Sequence, residues 1–203
     1  MVSGKNMAAG RSHVVRELLK ETEKPMNTSR VLLTAQELSA TIEALADELA
    51  ARHGGASNLA LVGIQRRGVD IAARIAALME KKHGHKVLFG TLDITLYRDD
   101  WTTLSQKPNV RKTHIPFDVA QKHLVLVDDV LYTGRTIRCA LEALSDFGRP
   151  DKVELLVLVD RGHRELPIHA DYVGLTVETG ADDSVDVLML ERDGKDEVLL
   201  VSN

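Results

Sequence analysis

The sequence predicts an α/β fold, with a mainly parallel central sheet and helices on its flanks. Three observations lead there. Runs dominated by apolar residues and of strand length occur at 59–64 (LALVGI), 123–127 (HLVLV) and 153–159 (VELLVLV), as strands buried on both faces require. Stretches with helical spacing of apolar residues separate these runs, and that alternation implies parallel strands joined by right-handed crossovers. Each run also leads into a charged loop, and in open sheets ligands bind beyond the carboxyl ends of the strands.

The elements follow in order. Residues 1–29 scatter Gly, Ser, Asn and Lys around one short helical stretch and Pro25, the pattern of a flexible N-terminal extension ahead of a single domain over 30–203. Thr34-Ala-Gln-Glu37 is a capping box, and the helix it opens carries Leu38, Ile42, Leu45 and Leu49 on one stripe to about Arg52, before Gly54-Gly55. The strand at 59–64 leads through Gln65-Arg66-Arg67-Gly68 into a second helix from Val69 to about His83. A strand over 87–97 and a polar stretch over 98–113, long enough for a flexible functional flap, come next. The strand at 123–127 runs into Asp128-Asp129, a loop, and a helix whose core positions are Ile137, Ala140, Leu141, Leu144 and Phe147. After the strand at 153–159 the tail alternates short apolar runs with turns. Asp193-Gly194, between 187–190 and 198–201, reads as the turn of a terminal hairpin.

The chain has 203 residues, which at ~150 residues per domain favours one domain. With 26 basic and 30 acidic side chains its net charge is −4, so no overall positive field draws it to nucleic acid or anionic lipid. The single cysteine, Cys139, excludes an intrachain disulfide, and no apolar run approaches the ~20 residues needed to cross a bilayer. The expectation is a cytoplasmic protein with no membrane partner. Cys139 reads as a packed core thiol, and His83-Gly84-His85 as a helix ending rather than a metal site.

The segment richest in chemistry is VLVDDVLYTGRT at 125–136. Two carboxylates end a buried strand, and Thr133-Gly134-Arg135-Thr136 opens a helix whose free amides favour a phosphate. The Gly-Lys-Ser/Thr of a Walker loop and the Gly-x-Gly-x-x-Gly of a dinucleotide site are both missing, which weakens kinase and dehydrogenase readings. By itself the acid pair could also be solvated strand-end residues or the phosphoacceptor corner of a receiver-like domain.

With its hydrophobic run, Asp-Asp and Thr-Gly-x-Thr, this segment resembles the phosphoribosyl pyrophosphate motif of type I phosphoribosyltransferases. More narrowly, DITLYRDD (93–100), VDDVLYTGRT (127–136) and VDRGHRELP (159–167) resemble the PyrR family, regulators of pyrimidine operons that are also uracil phosphoribosyltransferases. The likeness runs from about Val31 to the C-terminus. It implies the type I fold, with a flap and a small C-terminal hood, and an enzyme joining uracil to phosphoribosyl pyrophosphate with Mg2+. It also implies a homo-oligomer that binds leader mRNA of pyrimidine genes under control of UMP or UTP. A phosphoribosyltransferase for a purine or another base, and an attenuator with vestigial catalysis, are the alternatives.

The resemblance also distributes roles. Asp128 and Asp129 would hold the ribose, steady its developing positive charge and meet Mg2+ held mainly by substrate, with Asp129 the candidate acceptor of the uracil proton. Neither acid needs a raised pKa for this. Leu131, Tyr132, Thr133, Gly134, Arg135 and Thr136 would line the 5′-phosphate and ribose. Arg66, Arg67 and the flap's Arg98 would face pyrophosphate, Arg98 counting with Asp128 and Asp129 as catalytic, and Asp99 and Asp100 would hold the flap or meet Mg2+ indirectly. Val159, through its backbone, and Arg161 would border the base, while His163 and Arg164 are the candidate RNA contacts. One departure stands out. Regulators of this family are expected to carry basic residues on the first core helix, and here that helix carries Glu43, Asp47 and Glu48.

Overall fold

The computed structural model describes residues 28–54, 58–97 and 113–202. Strand β1 (Thr28–Leu33) leads to helix α1 (Ala35–His53), strand β2 (Leu59–Ile64), helix α2 (Arg67–His83) and strand β3 (Leu88–Leu92). A 3-10 turn at Thr95–Tyr97 precedes the segment outside the described residues, after which come β4 (His123–Leu131), α3 (Arg135–Ser145), β5 (Lys152–Asp160) and β6 (Tyr172–Thr176). Strand β7 (Ser184–Leu188), the single-turn helix α4 (Leu190–Asp193) and β8 (Glu197–Ser202) close the chain.

Five strands form a parallel sheet in the order β3-β2-β4-β5-β6. The period-two alternation of a strand sends its side chains to two separate cores. Val125 and Val127 of β4 pack with Leu38, Ile42 and Leu49 of α1 and with Ile71, Ile75 and Met79 of α2. Leu124 and Leu126 of the same strand pack on the other face with Ile137, Ala140, Ala143 and Leu144 of α3. Strands β1, β8 and β7 make a separate antiparallel sheet, the small hood. Among the described residues four ion pairs tie the hood to α2: Arg67 with Asp193, Arg74 with both Glu191 and Asp196, and Arg192 with Asp70.

The expected architecture is present, with local corrections. Strand β1 has no counterpart in the sequence reading; its first four residues are exposed, so it carries little apolar signal. It takes Thr28 and Ser29 into the hood, and the rest of the expected extension lies outside the described residues. Strand β3 ends at Leu92 rather than running to 97. There the Asp93 carboxylate accepts from the Thr95 amide (2.8 Å) and hydroxyl (2.5 Å), a local turn that competes with strand pairing. Helix α2 starts two residues before Val69, and β4 continues through both acids to Leu131. On α3, Leu141 is exposed, and Phe147 lies beyond the helix end; Cys139 and Ala143 occupy the buried face instead. The terminal hairpin forms, but Leu190 opens α4 instead of ending a strand. Gly84, left-handed at φ 68°, caps α2, and His83 Nε2 lies 2.8 Å from Asp47 Oδ1. Among the described residues no helix is long and apolar enough to cross a membrane.

Candidate active site

The carboxyl end of β4 is the centre of the site. Asp128 and Asp129 lie inside the strand, whose neighbour β5 keeps them in register. Asp128 is buried, and its Oδ1 accepts from the Asp129 amide at 3.0 Å; Asp129 Oδ1 accepts from the Val130 amide at 3.0 Å. Among the described residues neither makes an ion pair. Burial, and then the Asp129 carboxylate beside it, push the Asp128 carboxyl well above the usual range. This differs from the sequence reading, which asked for no raised acid.

Beyond Leu131 the chain turns into α3. Its N-cap is Gly134 at φ 92°, a conformation open to glycine, and no side chain caps the helix. Apart from the Arg135 amide, which makes a long 3.4 Å bond to Thr133 Oγ1, the first-turn amides keep the partner-seeking character that suits an anion. Thr133, Gly134, Arg135 and Thr136 all sit at this start. The Thr133 carbonyl accepts from the Glu165 and Leu166 amides at 3.0 and 3.2 Å, which anchors the loop from behind, and Arg135 pairs with Glu165.

A second uncapped helix start approaches from β2. Arg66, exposed, is the N-cap of α2 and makes no side-chain cap bond. Gly68 permits the approach: a Cβ there would lie 2.3 Å from the Val127 carbonyl oxygen and 3.1 Å from Asp128 Cα. Arg67 has its guanidinium on Asp193 of the hood, with Nε and Nη2 donating at 3.3 and 3.1 Å. The third assigned arginine, Arg98, lies outside the described residues with Asp99 and Asp100.

On the other flank of β4, Val159 is buried in the core shared with α1, so only its backbone is available to a base. Arg161 is 5% exposed and stacks 4.0 Å above the Tyr132 ring, a cation–π contact. Its Nη2 donates to the Gly180 carbonyl at 3.0 Å. His163 Nε2 donates to the Thr179 carbonyl at 2.7 Å. Arg164 is engaged throughout, with Asp160, Ile168, Tyr132 and Gly162 as partners. Both candidate RNA contacts thus bind the chain's own loops. The sequence reading missed the loop at 179–181 and the hood's Asp193, because their partners are remote in sequence.

Comparison with known proteins shows the family and the fold. The phosphoribosyl transferase domain matches residues 30–190. The bifunctional protein PyrR of Syntrophobacter fumaroxidans is 51% identical over 174 residues, covering 86% of this chain and 94% of that protein. The chain belongs to the PyrR family of phosphoribosyltransferases. Another PyrR protein, from Elusimicrobium minutum, is 50% identical over 175 residues, with 86% of this chain and 98% of that one covered. Among solved structures, a hypoxanthine phosphoribosyltransferase of Trypanosoma cruzi aligns with a TM-score of 0.66 at 17% identity, covering 89% of this chain and 94% of that one. The Leishmania tarentolae enzyme gives 0.65 at 16%, covering 88% and 99%. At these identities the purine enzymes share the fold, and the type I architecture expected of a PyrR chain is the one observed.

Proposed function

We propose that this PyrR-family chain joins uracil to phosphoribosyl pyrophosphate, giving UMP and pyrophosphate, and that UMP or UTP in the same site governs its binding to leader mRNA of pyrimidine genes. The observation that carries the catalytic half is the uncapped start of α3 directly behind two strand-end carboxylates, with the uncapped start of α2 brought against them at Gly68. The first helix start suits the 5′-phosphate, through Thr133, Gly134, Arg135 and Thr136 with the backbone of Leu131 and Tyr132. The second, with the Arg66 side chain and the loop backbone at Arg67, whose guanidinium is held by Asp193, suits pyrophosphate.

Displacement at the anomeric carbon builds positive charge on the ribose, and carboxylates fixed beneath the ring stabilise it without reorganising. The same charge draws Asp128 toward its ionised form, against the effect of burial. Asp129 is the group we assign to accept the uracil proton as the new bond forms. Phosphoribosyltransferases typically use Mg2+ with phosphoribosyl pyrophosphate. Paired carboxylate oxygens that form no ion pair among the described residues are hard donors suited to it, so a Mg2+ held mainly by the substrate would meet Asp128 and Asp129. There it would neutralise charge on the leaving pyrophosphate.

For the regulatory half, the face of α1 is less basic than the family expectation: Glu43 and Asp47 pair with Lys82, and Glu48 with Arg52. RNA affinity depends on neutralised phosphates, so weaker or differently placed RNA binding is the reading this helix supports. The deciding experiment measures pyrophosphate release with uracil, hypoxanthine, guanine and orotate, with and without Mg2+. Release with uracil alone supports the assignment, and release with a purine alone overturns it. A gel shift against leader RNA and a scrambled RNA, with and without UMP, tests the regulatory half.

A further inference from the structure

The sheet order places the loop after β2 on one flank of Asp128-Asp129 and the loops after β5 and β6 on the other. An incoming base and a departing pyrophosphate occupy opposite faces of the anomeric carbon. With pyrophosphate on the β2 side, the base falls to the β5 and β6 side. There, three successive carbonyls of one loop are each held by a different side chain. Thr179 O accepts from His163 Nε2 at 2.7 Å, Gly180 O from Arg161 Nη2 at 3.0 Å, and Ala181 O from the Tyr132 hydroxyl at 3.4 Å. The holders also brace one another. Arg161 stacks on the Tyr132 ring, the Tyr132 and His163 rings meet edge to face at 5.9 Å, and the Thr179 hydroxyl donates back to the Arg161 carbonyl at 3.3 Å. Gly162 and His163 both take left-handed backbone, at φ 75° and 57°, uncommon for a histidine, and this turns the imidazole onto the loop.

A planar peptide points its carbonyl and the next amide to opposite sides. With the Thr179 carbonyl on His163, the Gly180 amide faces the other way and donates to Asp183 Oδ2 at 2.7 Å. By the same rule the Ala181 amide faces away from Arg161. We propose that His163 and Tyr132 are positioning residues for nucleobase recognition: with Arg161 they clasp the loop at 179–183 so that its outward backbone presents a fixed edge to the pyrimidine. Tyr132 directly precedes the phosphate loop, so the clasp also fixes the distance between the phosphate and base ends of the site. The proposal rests on the uracil reading above, and it gives His163, which is exposed, a role within the chain.

The test compares His163→Ala with His163→Gln, which share the backbone strain but differ in whether a donor can reach Thr179. For His163→Ala the KM for uracil rises about three- to tenfold, the effect of one hydrogen bond, while kcat and the KM for phosphoribosyl pyrophosphate stay within about twofold. His163→Gln recovers most of the loss, and Tyr132→Phe, lacking only the 3.4 Å bond, raises the uracil KM less than His163→Ala. Hydrogen exchange of the amides at 179–183, measured without ligands, speeds up in His163→Ala. An unchanged uracil KM, an equal rise for both substrates, or unchanged exchange overturns the proposal. So does a His163→Ala variant that loses only RNA affinity. If wild-type protein makes no UMP at all, the uracil reading falls, and the exchange comparison still decides whether the clasp exists.

Discussion

Two helix starts in this molecule solve the same problem in opposite ways. At the start of α1, Thr34 and Glu37 form a complete capping box: the Glu37 carboxylate accepts from the Thr34 amide at 2.8 Å, and the Thr34 hydroxyl accepts from the Glu37 amide. At the start of α3, the cap is a glycine and no side chain closes it. The first arrangement satisfies the helix internally and stabilises the fold. The second leaves amides and the positive end of the dipole for a ligand. A helix start without a cap, set behind acids at a strand end, is therefore the local mark of the phosphate site.

The most severe way to break this contrast is to install an anion at the open start. Gly134→Asp puts a carboxylate where the phosphate belongs and strains the φ 92° backbone; phosphoribosyl pyrophosphate affinity falls by more than about 100-fold in titration calorimetry. Asp128→Asn acts on the acids that α1 lacks. Turnover falls by about 100-fold or more with a smaller change in KM, since the ring charge belongs to the transition state; equal changes in the two constants would remove that role. Thr133→Ala or Thr136→Ala removes one hydroxyl bond to a charged phosphate, about 1.5–3 kcal/mol, so affinity drops roughly ten- to a hundredfold. The melting temperature holds. The reciprocal change, Thr34→Ala, costs about 1 kcal/mol of stability in denaturant titration and leaves the kinetics unchanged.

Acid supplies the gentlest test. Hydrogen bonds from the Thr34 backbone and hydroxyl hold the Glu37 carboxyl below its ordinary value. A depressed folded pKa contributes stability that is present above the unfolded value and lost as pH falls through the folded one. Exchange at the first-turn amides of α1 thus rises below about pH 4.5 relative to Glu37→Gln, whose start is pH-independent.

Much of this was legible because it is local. The capping box, the buried run into Asp128-Asp129 and the Thr-Gly-Arg-Thr turn each complete their signal within about a dozen residues, and the structure places all three on the elements they predict. The site's remaining parts are written in remote partners. Arg67 reads as a pyrophosphate residue beside Arg66 until the fold brings Asp193 to its guanidinium from 126 residues away. Arg161 reads as a base contact, yet its burial beneath Tyr132 depends on strand order. His163 and Arg164 look like exposed basic residues in a polar loop, and only the loops packed around them show what they hold. Strand β1 was missed for a different reason: it is an exposed edge strand, and exposed edges need no apolar pattern.

The hood gives the molecule a distinctive response to tension. Its edge strand β1 and its central strand β8 are the first and last strands of the described chain, and Thr28 pairs directly with Ser202 across the antiparallel β1–β8 ladder. A force applied between these two residues falls on a single rung, then on the next at Ser29 and Val201, so the ladder opens like a zipper instead of shearing as a block. The five-stranded sheet shares no rung with that ladder. Pulled apart between Thr28 and Ser202, the described chain opens first at the hood, while the strand bearing Asp128 and Asp129 stays out of the line of pull.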